Sequence, residues 1–218
     1  MRAGGAPAGT AKRTADQMRN GRRYGINEIF YSLQGEGVRA GSANVFLRFS
    51  GCNQTCALET HGFDCDTEFV SSHAMALDEI VARVLAEAGD CRAVVLTGGE
   101  PALQLDAALV AALKARGFYL AIETNGSVAL PEGIDWITVS PKTAESELRQ
   151  RRADEVKYVR AHGQPLPETT VEAEHYLLSP AFDADEPSPR NVAWCIALVK
   201  ENPRWRLSVQ QHKLWNVR

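Results

Sequence analysis

The sequence predicts an α/β fold built on a partial, open β/α barrel that carries a reduced number of helices. Strand-like and helix-like segments mostly alternate from Tyr24 onward, which is typical of a parallel sheet covered by helices. A complete eight-unit barrel usually takes about 250 residues. This chain has 218 residues, and only three of its segments have clear helical periodicity. A partial barrel therefore fits better than a closed one.

Apolar runs rich in β-branched and aromatic residues mark the predicted strands. These strands are 26–34, 44–50, 93–97, 118–123, 136–140, 156–159, 175–178 and 206–210. Two helices have apolar residues at helical spacing and end at Gly89 and Gly117, as glycine commonly ends helices. A third begins with Ser188 as N-cap and Pro189 in its first turn. Their predicted buried positions are Leu77, Ile80, Val81, Val84, Leu85 and Ala88; Leu105, Leu109, Ala112 and Leu113; and Val192, Ala193, Ile196 and Val199.

The charge divides the chain into two parts. Residues 1–23 carry a net charge of +5, whereas the whole chain carries −3. This Gly/Ala-rich segment lacks periodicity, so we predict a disordered basic extension over 1–23 and one domain over 24–218. A nucleic-acid-binding arm is an alternative, but the acidic body opposes direct nucleic-acid binding. We find neither a membrane-spanning run nor a secretion signal and predict a cytoplasmic protein.

Three cysteines lie close together on the loop after the strand 44–50. They are Cys52, Cys56 and Cys65, three of the five in the chain. Three thiolates are an odd number for disulfides and one short of a closed four-cysteine zinc site. They suit an iron–sulfur cluster whose fourth iron is open to a small molecule. A structural zinc site with His61 as fourth ligand is the alternative.

Polar or glycine-containing sequences follow several predicted strands, at 97–101, 123–126, 140–142, 179–180 and 210–213. Ligands of open α/β sheets and barrels bind at the carboxyl ends of the strands. The repeated placement of polar groups at this edge therefore predicts a binding site there.

The cysteine loop together with the Thr-Gly-Gly-Glu-Pro sequence at 97–101 resembles the radical S-adenosylmethionine (SAM) superfamily. The usual C-x3-C-x2-C spacing is C-x3-C-x8-C here, an insertion of six residues. Within the superfamily, the sequences at 27–30, 33–37, 46–48, 65–67, 140–142 and 211–213 resemble the 7-carboxy-7-deazaguanine synthases. The resemblance runs from about Ile26 to the C-terminus.

The resemblance implies conversion of 6-carboxy-5,6,7,8-tetrahydropterin to 7-carboxy-7-deazaguanine with loss of ammonia, on the way to queuosine and other 7-deazapurines. It implies a 4Fe-4S cluster, SAM and Mg²⁺ as cofactors, a flavodoxin- or ferredoxin-type reductant and a homodimer. A radical SAM enzyme that activates a glycyl-radical partner protein is one alternative. A structural zinc-binding protein is the other.

The resemblance also implies roles for individual residues. Arg48 would clamp the substrate carboxylate through its planar guanidinium, and Gln34 would offer a donor and an acceptor to the pterin. An ion pair of Arg48 with a structural acid is the alternative. The implied substrate contacts are Leu33, Gln34, Gly35, Arg48, Thr97, His212 and Arg218. The implied SAM contacts are Asp64, Cys65, Asp66, Gly99, Ser140, Pro141, Lys142 and Ser179. The cluster ligands are Cys52, Cys56 and Cys65, and Thr67 would bind Mg²⁺, which prefers hard oxygen ligands.

Overall fold

The computed structural model describes residues 21–65, 68–183 and 186–218. Within these residues, nine strands form one sheet, and two short antiparallel strands pair separately. The strands are β1 (Arg23–Leu33), β2 (Ala43–Phe49), β3 (His73–Ala76), β4 (Ala93–Gly98), β5 (Tyr119–Thr124), β6 (Trp136–Val139), β7 (Arg152–Arg160), β8 (Glu172–Pro180), β9 (Phe182–Asp183), β10 (Glu186–Pro187) and β11 (Trp205–Leu207). The α-helices are α1 (Leu58–His61), α2 (Leu77–Ala88), α3 (Ala107–Lys114), α4 (Pro189–Glu201) and α5 (Gln211–Trp215).

The large sheet has the order β11-β8-β7-β6-β5-β4-β2-β1-β3. From β2 to β11 all neighbouring strands are parallel, whereas β1 pairs antiparallel with both β2 and β3. Among the described residues, only α2, α3 and α4 exceed five residues in length. This mixed sheet with few helices confirms the predicted fold class.

Neighbouring residues of a strand face opposite sides of the sheet, one side toward the apolar core and the other toward a cavity. In β2, Val45 and Leu47 pack in the apolar core with α2 and α3, whereas Phe46 and Arg48 line a cavity. In the same way, Ile122 of β5 belongs to the core and its neighbour Glu123 lines the cavity. Because side chains alternate between the two faces of a strand, one short segment supplies both packing and chemistry.

The predicted buried face of α4 is wrong. Ile196 is 42 % exposed, and the side chains that α4 buries are Asn191, Cys195 and Leu198. A polar residue fixes this orientation: Asn191 donates to the carbonyl of Ala181 and accepts from the amide of His162, both at 2.8 Å. Hydrogen bonds to backbone therefore rotate the helix away from the face that its apolar pattern indicates.

The last predicted strand, 206–210, is too long. Strand β11 ends at Leu207 because the next residues leave the sheet and contact the loop after β1. The hydroxyl of Ser208 accepts from the amide of Gly37 at 2.9 Å, and the side chain of Gln210 donates to Glu36 at 2.9 Å. The chain then forms α5.

The predicted N-terminal extension, 1–23, lies outside the described residues up to position 20. Strand β1 already begins at Arg23, and Arg22 pairs with Asp106 at 2.8 Å. None of the helices that the structure describes combines the length and apolar character needed to span a bilayer.

Leu96 in the middle of β4 is fully buried in the core. We expect Leu96→Ala to lower the free energy of unfolding by about 2–5 kcal/mol, because it removes apolar contacts and leaves a cavity. Leu214→Ala is the control, since that side chain is 58 % exposed and should change stability by less than about 0.5 kcal/mol. Chemical denaturation of both variants measures the difference. Equal losses would contradict this account of the core.

Candidate active site

A cavity of about 650 Å³ opens at the carboxyl ends of the parallel strands. The loop after β1 (34–42), the cysteine loop and the C-terminal segment (208–218) form the rest of its wall. Most of the residues expected at the site line it. They are Leu33, Gln34, Gly35, Arg48, Cys52, Cys56, Asp64, Cys65, Thr97, Gly99, Ser140, Lys142, Ser179, His212 and Arg218. Pro141 is buried and is not among the lining residues. Asp66 and Thr67 lie outside the described residues.

The cysteine loop brings its three thiols to this one cavity. Cys52 and Cys56 are half-buried and Cys65 is exposed. Burial, together with the charges of Glu100 and Cys65, raises the pKa of the Cys52 thiol. Within the described part of the chain, no three His, Cys, Asp or Glu side chains form a compact metal-binding group. The three thiols that line the cavity are soft sulfur donors of the kind that iron–sulfur clusters use.

The six extra residues of the cysteine loop form an ordered connection around α1. Asp64, an expected SAM contact, accepts a hydrogen bond from the amide of Leu58 at 2.9 Å. His61 contacts the hydroxyl of Thr60 at 2.6 Å and the carbonyl of Lys142 at 3.1 Å through its two ring nitrogens. These contacts give His61 a role in holding the loop.

Two glycines at the end of β4 permit close contact with the start of the cysteine loop. The amide of Gly99 donates to the carbonyl of Phe49 at 3.1 Å, and the amide of Glu100 donates to the carbonyl of Gly51 at 2.9 Å. A Cβ on Gly98 would overlap the backbone of Phe49, and one on Gly99 would overlap the backbone of Gly51. Close approach of two backbones explains these glycines.

The carboxylate of Glu100 joins the ends of β4 and β5. It is fully buried and accepts hydrogen bonds from the hydroxyl of Thr124 and the amide of Asn125, both at 2.7 Å. Asn125 in turn donates to Asn53 in the cysteine loop at 2.9 Å. Burial raises the pKa of Glu100, against the effect of these hydrogen bonds. This residue supports the loop and does not line the cavity.

Arg48 lines the cavity, as a substrate contact would. It also forms an ion pair with an acid, which is the alternative role stated for it above. Its Nε donates to Glu28 Oε1 at 3.0 Å. The two residues stand opposite each other in the register of β1 and β2. Pairing through Nε is compatible with a cavity-facing role, because a guanidinium carries five N–H donors.

A buried charge network in the cavity wall is the main feature that the sequence prediction missed. Lys157 of β7 forms ion pairs with Glu36 and, at 3.4 Å, with Glu123. Gln34 donates to Glu123 at 3.1 Å, and Gln210 donates to Glu36 at 2.9 Å. A charged residue within the apolar run 156–159 was the available signal, because an isolated lysine in a buried strand needs partners.

The two carboxylates of this network differ in acidity. Burial raises the pKa of Glu123 to about 7, although the charge of Lys157 opposes the shift. Burial alone would also raise the pKa of Glu36, but the charge and hydrogen bond of Lys157 and the hydrogen bond of Gln210 lower it to about 2. For Lys157, burial would lower the pKa, and the charges of Glu123 and Glu36 raise it instead. One carboxylate is thus firmly ionised and the other exchanges a proton near neutrality.

The C-terminal segment covers the loop after β1. The amide of Gln211 donates to the carbonyl of Gly35 at 2.9 Å. A Cβ on Gly35 would overlap the side chain of His212. At the other end of the segment, Ser32 donates to the backbone oxygen of Arg218 at 2.6 Å. Residues far apart in the sequence therefore form one wall of the cavity.

Ser140 and Lys142, which follow β6, lie together on the cavity wall. The ammonium of Lys142 donates to the hydroxyl of Ser140 at 2.6 Å and lies 5.5 Å from the centre of the Phe63 ring. Lys142 is thus held between the strand end and the cysteine loop.

Comparison with known proteins identifies the family. The sequence model of the radical SAM superfamily matches residues 48–164. The 7-carboxy-7-deazaguanine synthase of Bradyrhizobium diazoefficiens is 44 % identical over 211 residues, which cover 89 % of this chain and 99 % of the relative. The enzyme of that name from Bacteroides thetaiotaomicron is 45 % identical over 194 residues, 88 % of this chain and 98 % of the relative. The chain belongs to the 7-carboxy-7-deazaguanine synthase family.

A solved structure agrees with this assignment. The crystal structure of QueE from Escherichia coli superposes with a TM-score of 0.68 at 25 % sequence identity, over 92 % of this chain and 100 % of that one. The radical SAM membership of the family implies a 4Fe-4S cluster and SAM. The described site fits both groups in kind, since three thiols and a polar strand-end wall share one cavity.

Gly99→Ala tests the backbone contact between β4 and the cysteine loop of this family member. The added methyl group should displace the loop, because overpacking of this kind costs about 1–3 kcal/mol. We expect less iron per chain after anaerobic reconstitution. Gly21→Ala is the control, since no atom of the described residues lies within 4 Å of a Cβ built there. Wild-type iron content in Gly99→Ala would show that the loop does not depend on this contact.

Glu123→Gln tests the buried carboxyl group. Its pKa of about 7 in the folded protein exceeds the ordinary value of 4.5, so the folded state retains a proton that the unfolded chain loses. Stability should therefore fall as pH rises through this window. The lowered pKa of Glu36 contributes a constant amount to stability in that pH range. This contribution is lost only as pH falls from 4.5 towards about 2.

Thermal denaturation of the cluster-free protein measures this effect. We expect Glu123→Gln to gain stability relative to the wild type as pH rises from about 4.5 to about 7. Glu172→Gln is the control, because that side chain is 80 % exposed. Parallel pH profiles of the wild type and Glu123→Gln would contradict the raised pKa.

Proposed function

We propose that the protein converts 6-carboxy-5,6,7,8-tetrahydropterin to 7-carboxy-7-deazaguanine and ammonia inside the described cavity. The observation that carries the proposal is the meeting of three thiols, Arg48 and the loop after β1 in one space of about 650 Å³. That volume is suited to a small molecule. The near-full-length relatives carry the name of this activity.

The thiols of Cys52, Cys56 and Cys65 would hold the 4Fe-4S cluster and leave one iron for SAM. When bound, the cluster and SAM supply the radical that removes a hydrogen atom from the substrate. The SAM contacts that we propose are Asp64, Cys65, Asp66, Gly99, Ser140, Pro141, Lys142 and Ser179. All but two of them line the cavity: Pro141 is buried and does not line it, and Asp66 lies outside the described residues.

The substrate would lie between β2 and the loop after β1. Arg48 would bind its carboxylate with the guanidinium nitrogens that do not contact Glu28. Gln34 and Gly35 would contact the pterin amide, with Leu33 and Thr97 beside them. His212 and Arg218 would contact the substrate from the C-terminal segment. The proposed substrate contacts all line the cavity, namely Leu33, Gln34, Gly35, Arg48, Thr97, His212 and Arg218.

Glu123 adds an ionisable group that the sequence prediction did not include in the site. It lines the cavity, and Gln34 and Lys157 hold its carboxyl oxygens in place. A pKa of about 7 is suited to a group that accepts or donates a proton at neutral pH. We assign Glu123 the transfer of a proton to or from the substrate as ammonia is lost.

Several further properties stay predictions. Mg²⁺ bound by Thr67 falls on a residue outside the described part of the chain. The homodimer, the flavodoxin- or ferredoxin-type reductant and the cytoplasmic location rest on the sequence and on the family resemblance. The two alternatives, a glycyl-radical-activating enzyme and a structural zinc protein, have no specific support from the described cavity.

Turnover by anaerobically reconstituted protein tests the proposed function. The protein is given SAM, reductant, Mg²⁺ and 6-carboxy-5,6,7,8-tetrahydropterin, and products are identified by mass. We expect 7-carboxy-7-deazaguanine together with ammonia. Cleavage of SAM while the pterin stays intact would leave the radical SAM assignment standing and refute the substrate.

Cys65→Ala tests the ligand assignment despite the long spacing. Loss of one of three iron ligands should abolish both iron–sulfur absorbance and product formation. Cys91→Ala is the matched control, because Cys91 contacts the carbonyls of Ala43 and Ala93 and does not line the cavity. A fully loaded and active Cys65→Ala variant would remove Cys65 from the cluster.

A further inference from the structure

One carboxylate near the cavity holds two arginine side chains. Glu28 Oε1 accepts from Arg48 Nε at 3.0 Å, and Glu28 Oε2 accepts from Arg218 Nη2. Both guanidinium groups lie over the ring of Phe30, with the central carbons 5.7 Å and 4.8 Å from its centroid. Arg48, Arg218 and Phe30 line the cavity, whereas Glu28 is not among the lining residues.

The register of β1 and β2 explains this arrangement. Glu28 stands opposite Arg48, and Phe30 stands opposite Phe46. The two phenylalanine rings stack with centroids 5.1 Å apart and an interplanar angle of 10°. Because alternate residues share one face of a strand, Glu28 and Phe30 present their side chains on the same side as Arg48.

The second guanidinium group belongs to Arg218, which lies at the end of the C-terminal segment. The amide of Gln211 donates to the carbonyl of Gly35, and Ser32 donates to the backbone oxygen of Arg218 at 2.6 Å. Arg218 is therefore attached to β1 by its backbone as well as by its side chain. Its side chain is 70 % exposed, whereas those of Arg48 and Glu28 are 22 % and 29 % exposed.

A guanidinium carries five N–H donors, and within the described contacts Arg48 and Arg218 each reach Glu28 through one nitrogen. A planar carboxylate in the cavity matches the fork geometry of the other donors. Deeper in the cavity wall, Lys157 is paired with Glu36 and Glu123. Compared with Lys157, the two arginines are thus the better place for an anionic group.

We propose that Glu28 is a positioning residue that presents Arg48 and Arg218 together to the carboxylate of the substrate. Preference for a carboxylated pterin then depends on the side chain of Arg218, which the C-terminal segment brings to the cavity. This inference rests on the proposed function, because it takes the substrate carboxylate to bind at Arg48. Glu28 acts through the two arginines and does not touch the substrate.

The test measures affinity in the absence of turnover. Reconstituted protein with SAM and without reductant is titrated calorimetrically with 6-carboxy-5,6,7,8-tetrahydropterin and with 6-methyl-5,6,7,8-tetrahydropterin, which lacks the carboxylate. The variants are Glu28→Gln and Arg218→Met. Arg152→Met is the control, since Arg152 forms an exposed ion pair with Glu172. The ratio of the two affinities isolates recognition of the carboxylate.

We expect Glu28→Gln and Arg218→Met each to reduce this ratio about tenfold, the scale of one hydrogen bond to a charged group. Affinity for the methyl compound should stay at the wild-type value, which a general structural defect would not allow. The double variant should lose much less than the product of the single effects, because both changes disrupt one unit. Arg152→Met should keep the wild-type ratio.

A wild-type ratio in either single variant overturns the inference. If Glu28→Gln fails to fold, Arg218→Met decides alone, because its exposed side chain leaves the core intact. A wild-type protein that does not prefer the carboxylated compound would instead refute the proposed function. The two failures are therefore distinguishable.

Discussion

The cavity depends on a backbone contact that only glycine allows. Gly99 and Glu100 at the end of β4 donate their amides to Phe49 and Gly51 at the start of the cysteine loop. Side chains at 98 or 99 would overlap that backbone. The loop therefore begins at a fixed place beside β4, and Glu100 extends the support through Asn125 to Asn53. The sheet thus carries the three thiols on a rigid base, as a preorganised site requires.

Burial of charge imposes a second constraint. An ionised lysine inside a protein is costly unless partners satisfy it, and Lys157 has two, Glu36 and Glu123. They come from the loop after β1 and from β5, so the network joins three parts of the cavity wall. Lys157 lies closer to Glu36 than to Glu123, so it stabilises the ionised form of Glu123 less. Burial therefore dominates at Glu123 and raises its pKa to about 7. The same balance that stabilises the wall therefore produces a titratable group in the cavity.

The sequence predicted what local patterns determine and missed what long-range pairing determines. Most strand positions, the helices at Leu77–Ala88 and Ala107–Lys114, and the cysteine loop follow from periodicity and composition, whereas the short strands β3, β9 and β10 were missed. The face of α4 does not, because hydrogen bonds of Asn191 to distant backbone outweigh its apolar pattern. Likewise, the ion pairs of Lys157 join residues 121 and 34 positions apart. Such contacts depend on strand order, which no short segment encodes.

The long cysteine loop illustrates how a departure from the family spacing is accommodated. Its added residues form α1, and the carbonyl of His61 accepts from the side chain of Gln164 at 2.9 Å. Trp194 of α4 holds Gln164 through a hydrogen bond to its carbonyl at 2.8 Å. The insertion is therefore anchored to α4, which packs against β8 and β11, and Cys65 still lines the cavity. The entropy cost of closing a loop rises only slowly with its length, so six added residues are compatible with three thiols at one cavity.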